Sequence, residues 1–207
     1  MATTMRVLLD DQPCDVRADS VGQTIAAAAS LAEARGRMIV EVNVHARSWT
    51  GSEVGEPGSS IMRSTTGEVR LTSVQPADLV RTIFHDAAQA LAEADSLQQS
   101  AAQLLQAGQT TAAMSKLSDA VGIWSAVQQA LIMGAQAAGM DLEALLAADD
   151  RRRAVASLNT HLKTIRAALE TGDPVGLSDT LLYDLPDVVT HWRSLLHDLG
   201  QRIARAA

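Results

Sequence analysis

Hydrophobic and polar positions recur with two different periods along this chain, and the period changes near Pro76. Before that residue the period is two. Met5, Val7 and Leu9 alternate with Arg6, Leu8 and Asp10, and Cys14, Val16 and Ala18 alternate with Asp15, Arg17 and Asp19. Asp11-Gln12-Pro13 between the two runs has turn chemistry, so they predict a β-hairpin. A helix is expected over 22–34, with Ser20 as its cap and Gly36 as its left-handed stop. Its inner face would carry Val21, Ile25, Ala28, Ala29 and Ala32. The clearest strand pattern covers 38–45, where Val40, Val42 and Val44 face inward and Glu41, Asn43 and His45 face water. Residues 50–66 are rich in Gly, Ser, Thr and Pro and read as a long loop, with a short strand near 47–49. A last strand over 68–74 places Val69 and Leu71 inward.

From Pro76 onward the period becomes that of a helix. Ile83, Ala87, Ala90, Ala94, Leu97, Ala101 and Leu104 form one stripe, which Gly108 ends. Met114, Leu117, Val121, Trp124, Gln128 and Leu131 form a second, closed by Gly139. A short helix is expected over 142–148. Val155, Leu158, Leu162, Ile165 and Leu169 form a third stripe, ending at Gly172. Leu181, Leu185, Val188, Trp192, Leu195 and Leu199 form the fourth, with Pro186 predicting a kink or break inside it. Four apolar stripes with short connections predict an antiparallel four-helix bundle. The expected architecture is α+β, with a sheet domain over 1–75 and a bundle over 76–207.

The order strand, strand, helix, strand, loop, strand, carried by 6–17, 22–34, 38–45 and 68–74, resembles a ubiquitin-like β-grasp domain. No Gly-Gly tail follows Val74, which argues against conjugation or sulfur-carrier roles. The helical half, notably Leu104-Leu-Gln-Ala-Gly108 and Ala168-Leu-Glu-Thr-Gly-Asp173 with Leu177-Ser-Asp-Thr-Leu-Leu-Tyr-Asp184, is similar to a group of bacterial proteins that join a β-grasp-like head to a helical bundle. That resemblance implies a fold and brings no activity or site with it.

Composition narrows the function classes. Aromatics are only 2% of the 207 residues, and 36 residues are Ala, so the core must be built from aliphatic side chains and closely packed alanine. The net charge of −7 argues against a nucleic-acid partner, which needs clustered cations. A single cysteine excludes an intrachain disulfide and a Cys-rich zinc site. No apolar run has the length of a membrane span, and the N-terminus lacks a secretion signal, so the expected location is the cytoplasm.

Candidate chemistry is sparse. No Walker or dinucleotide fingerprint occurs, and the glycines at 51, 55 and 58 read as a flexible connection. A di-metal carboxylate bundle needs inward Glu and Glu-x-x-His pairs. Glu93, Glu143 and Glu170 are the only glutamates after Pro76, and none falls on a stripe. Asp187 and His191 are one helical turn apart, as a two-ligand metal clamp requires, while His197 points elsewhere. His85 beside Asp86, His161 and His45 read as surface histidines. Cys14 reads as a small inward apolar residue without a partnering base. Arg151-Arg152-Arg153 after Asp149-Asp150 could bind an acidic partner, or simply complement a helix start.

No catalytic, cofactor or metal residue is therefore assigned. The expected function is that of a non-enzymatic protein-interaction or adaptor module, with a small-ligand or metal-binding bundle as the alternative. The expected partner is another protein, and the heptad stripes also allow a homo-oligomer.

Overall fold

The computed structural model describes residues 6–14, 20–44, 47–50 and 68–206. The second hairpin arm beyond Cys14, His45 and the glycines at 51, 55 and 58 lie outside the described residues. The architecture is α+β: a small mixed sheet with one helix, followed by mostly helical chain. The chain divides into two compact units, Met1–Asp78 and Leu79–Ala207.

In the first unit, β1 (Arg6–Leu9), β2 (Gln12–Pro13), α1 (Val21–Glu33), β3 (Met38–Val44), β4 (Arg47–Thr50) and β5 (Glu68–Val74) follow in order. The sheet order is β2-β1-β5-β3-β4, with β1 parallel to β5 and the other neighbours antiparallel. The hairpin turn is Asp10-Asp11, one residue earlier than the turn chemistry suggested. Both residues have positive φ, 52° and 60°, which the short Asp side chain tolerates and the twist of a tight hairpin demands. Ser20 caps α1, its hydroxyl accepting from Gln23 N at 3.3 Å, and Gly36 ends the helix at φ 67°.

Val21, Ile25 and Ala28 of α1 pack on Val7, Leu9, Val42, Val44, Val69 and Leu71 of the sheet. Each buried Val or Leu contributes about 2 kcal/mol of transfer free energy. Strand β3 departs from strict alternation. Ile39 and Glu41 oppose Ser73 and Thr72, so Val40 is an extra residue in a bulge. The bulge reverses parity, and Ile39 rather than Val40 packs against the core.

In the second unit, α2 (Pro76–Gln106), which starts in the first unit, leads to α3 (Thr110–Ala137), α4 (Leu142–Leu145), α5 (Asp149–Thr171), α6 (Pro174–Asp179) and α7 (Leu185–Ala206). Gly108, Gly139 and Gly172 end α2, α3 and α5 in the left-handed region. In each case the next residue's N–H returns to a carbonyl five residues back, as Gln109 does to Leu104 at 2.8 Å. A π-helical turn, Thr180–Asp184, joins α6 to α7, and Leu185 N–H donates to Thr180 O. Pro186 thus stands in the first turn of α7, where its missing N–H costs little. The expected break lies just before it. No helix among the described residues is long and apolar enough to cross a membrane.

Particular side chains lock these helices together. A Cβ on Gly134 would stand 2.7 Å from Phe84 Cζ, so glycine admits the ring between α2 and α3. Trp124 of α3 and Trp192 of α7 meet edge to face, with centroids 5.7 Å apart. Trp192 Nε1 donates to Ala154 O of α5 at 3.0 Å.

The fourth stripe is buried as the spacing predicts, and about half of each of the others is too: Ala87, Ala94 and Ala101 on α2, Leu117, Trp124 and Leu131 on α3, and Leu158 and Ile165 on α5. The alternate positions of those three stripes shift by one residue. On α2 the buried column is Phe84, Leu91, Gln98 and Leu105, each one residue after the expected position. On α3, Ala113 and Ala120 take the places expected for Met114 and Val121, and Val121 is 41% exposed. On α5, Ala154 and Ala168 replace Val155 and Leu169, leaving Leu169 45% exposed. On α3 and α5 small residues allow close helix approach, so the seam runs through alanine and the bulkier neighbour moves to the rim, whereas on α2 the larger Phe84 and Leu91 are buried in place of Ile83 and Ala90.

Candidate functional site

The residues that sequence reading singled out are mostly used for structure. Arg151 is buried and donates to Leu145 O, closing the short α4. Arg152 pairs with the Asp149 carboxylate, and Arg153 Nε donates to Asp149 O at 3.2 Å. The three arginines thus turn to three different tasks at the start of α5 instead of forming one patch. Asp187 and His191 are both exposed on α7, and among the described residues no three His, Cys, Asp or Glu side chains stand together as a metal would need. His161 Nδ1 lies 3.9 Å from Asp184 of the π turn. Glu93 and Glu143 are exposed, and Glu170 accepts from Arg166 at 2.7 Å. Cys14 is half-buried against the sheet core.

A polar cluster at one end of the sheet is structural as well. Asp10 accepts from Ser73 N and from Ser73 Oγ, each at 2.7 Å, and Arg37 Nε donates to Ser73 Oγ at 2.7 Å. Arg37 also reaches Ser73 O at 2.6 Å. Burial works against the Asp10 charge. The Ser73 hydrogen bonds, together with Arg37 and Arg35, outweigh it and hold the carboxyl below its ordinary range. The cluster ties the hairpin turn to β5 and to the entry of β3.

Two surface grooves stand out among the described residues. The first lies between the N-terminal part of α2 and the C-terminal part of α7, with a volume of about 310 Å³. Ala88, Leu196 and Gly200 make its floor. Helix α7 runs close to α2 at Gly200, where a Cβ would stand 3.8 Å from Arg81 Cα, an ordinary contact. Arg81, Thr82 and His85 line one side, and His197 and Gln201 the other. The Gln89 amide and His85 Nε2 are 2.7 Å apart, which steadies the ring from the next helical turn.

The structure therefore places His85, expected as a surface histidine, and His197, expected only to point away from the Asp187–His191 pair, in the lining of one groove. Each directly follows a core residue, Phe84 and Leu196. On two neighbouring helices, residues next to the seam line the same groove. That signal is legible only once the seam position on α2 is right, and the hydrophobic pattern misplaces it by one residue.

The second groove has a volume of about 320 Å³ and is mainly apolar. Leu105, Met114, Leu169, Pro174 and Leu177 line it at the junction of α2, α3, α5 and α6. Its rim is formed by the residues that the shifted seams expel. Asp173 sits at its edge, but its carboxylate is engaged in capping α6 through Gly176 N at 2.9 Å.

No curated protein and no solved structure matches the chain. One family model matches residues 82–195, a stretch that starts beside the first groove's Arg81 and stops just before Leu196. The match spans more than half of the chain and lies wholly within the helical unit, so the chain belongs to this family, described as a domain of unknown function, DUF8042.

Proposed function

We propose that this chain is a non-enzymatic adaptor of the bacterial cytoplasm, whose helical unit holds an amphipathic segment of a partner protein in the groove at Leu169. One observation carries the reading: Leu169 is 45% exposed on an apolar groove, and Val175 of α6, next to the lining residue Pro174, is 68% exposed. Single exposed aliphatic residues are ordinary on a protein surface, but two beside an apolar groove form a patch of the kind partners cover. The net charge of −7 favours an occupant with basic flanks. A helix is the natural form for it, laying its apolar side chains into the groove.

The finer fold reading belongs to the same proposal. The strand order β2-β1-β5-β3-β4, with β1 parallel to β5, supports a ubiquitin-like β-grasp head. The contacts of Phe84 with Gly134, Trp124 with Trp192 and Trp192 with Ala154 support an antiparallel four-helix bundle. The two together favour kinship with bacterial proteins that join such a head to such a bundle.

The test uses the full chain as bait in lysate of its host, beside the variants Leu169→Glu and Met133→Glu. Met133 is also exposed, at 53%, but lies outside the groove. The expected result is a protein retained by the wild type and by Met133→Glu, and at least tenfold depleted on Leu169→Glu. Equal retention by all three baits would overturn the groove reading. So would a concentration-dependent doubling of mass that Leu169→Glu abolishes, which would make the occupant a second copy of the chain.

A further inference from the structure

We propose that the groove between α2 and α7 binds a phosphate-bearing small molecule. The site goes beyond the adaptor reading and is independent of it, since the two grooves share no residue.

The argument begins with charge. The chain carries 24 Asp and Glu against 17 Lys and Arg, so its surface on average repels anions. This groove departs from that average. Its described lining holds Arg81, His85 and His197 and no carboxylate. Thr82 and Gln201 add a hydroxyl and an amide, so five side chains able to donate hydrogen bonds converge from two helices. Arg81 and Thr82 take part in other interactions as well, and His85 Nε2 is held by the Gln89 amide, so the main feature is that α2 and α7 each bring one imidazole into the same lining.

Donor number selects the ligand class. A carboxylate offers two acceptor oxygens, whereas a terminal phosphate offers three, which a guanidinium, a hydroxyl, an amide and imidazole N–H groups can share more fully. A metal ion would need acceptor ligands, and the lining supplies imidazoles with no acid to complete a set. Size agrees. The groove's 310 Å³ is the room of about ten waters, enough for a phosphate and a small attached group above the floor of Ala88, Leu196 and Gly200.

The test follows the histidine ring signals of the intact chain by NMR. Inorganic phosphate, succinate and sodium chloride are added in turn at matched ionic strength. The His85 and His197 signals are expected to move saturably with phosphate and at least tenfold more weakly with the other two. In calorimetry the double variant His85→Gln, His197→Gln is expected to bind phosphate at least tenfold more weakly. Both residues are exposed, so its melting temperature without phosphate should match the wild type. Should that variant fail to fold, the wild-type ring signals decide alone. No saturable movement, an equal response to chloride, a response to succinate instead, or unchanged affinity in a folded double variant would overturn the proposal.

Discussion

Asp10 holds a left-handed backbone at φ 52° and at the same time accepts two hydrogen bonds from Ser73. Asn tolerates the same backbone but carries no charge, so Asp10→Asn separates the two roles. The carboxyl is held below its ordinary range in the folded chain, so its contribution is fully present above pH about 4 and fades as pH falls through the folded value. Chemical denaturation of Asp10→Asn is expected to show a loss of about 1 kcal/mol near pH 7, reduced because a third of the side chain meets water, and a shrinking difference in acid. A gap that stays constant down to pH 2 would mean the charge plays no part. Gln98 presents the opposite case. It is 1% exposed, and neither atom of its amide has a partner. Leu fills a similar volume without the desolvation cost. Calorimetry of Gln98→Leu is therefore expected to show a melting temperature about 2–4 °C higher. A lower value would show that the amide contributes to folding.

Helices and strands were legible from the chain as elements, and their faces much less so. The ends were written locally: Ser20, Gly36, Gly108, Gly139 and Gly172 each cap or stop a helix where the residue type suggested. The bulge at Val40 was not, because an extra residue in β3 is defined by its pairing with β5. The heptad spacing placed about half of each of three seams, such as Ala87 and Ala94 on α2 or Leu117 and Trp124 on α3, and missed the alternate positions by one residue. The seam is set by how closely two helices can approach, and Ala120 or Gly134 allows an approach that Val121 or a bulkier residue would block. Gly134→Ala tests this directly. Its new methyl would meet the Phe84 ring, and the expected loss is about 1–3 kcal/mol by denaturant titration. In the background of Phe84→Leu the same change should cost clearly less. An equal cost in both backgrounds would mean that Gly134 matters for its backbone and not for the ring it admits.

At the scale of the whole molecule, most chemistry-bearing residues seen in the chain became supports. Arg151 closes α4, and Glu170 pairs along its own helix. The grooves drew on residues that carried no motif. His85 and His197 are 112 positions apart in sequence and share a cavity wall only because α2 and α7 pack side by side. Leu169 entered the reading as a core residue and became a groove rim.

What the chain determined by itself was local: the change of period at Pro76, the α+β class, and the caps and stops, since each depends on residues within a turn or two of one another. Tertiary structure alone decided which flank of the stripe is buried on α2, α3 and α5, where the sheet loses its alternation, and which distant residues share a groove. Those outcomes depend on distances between elements, and in an alanine-rich chain the hydrophobic pattern is nearly as strong on one face of a helix as on the next, so only packing chooses between them.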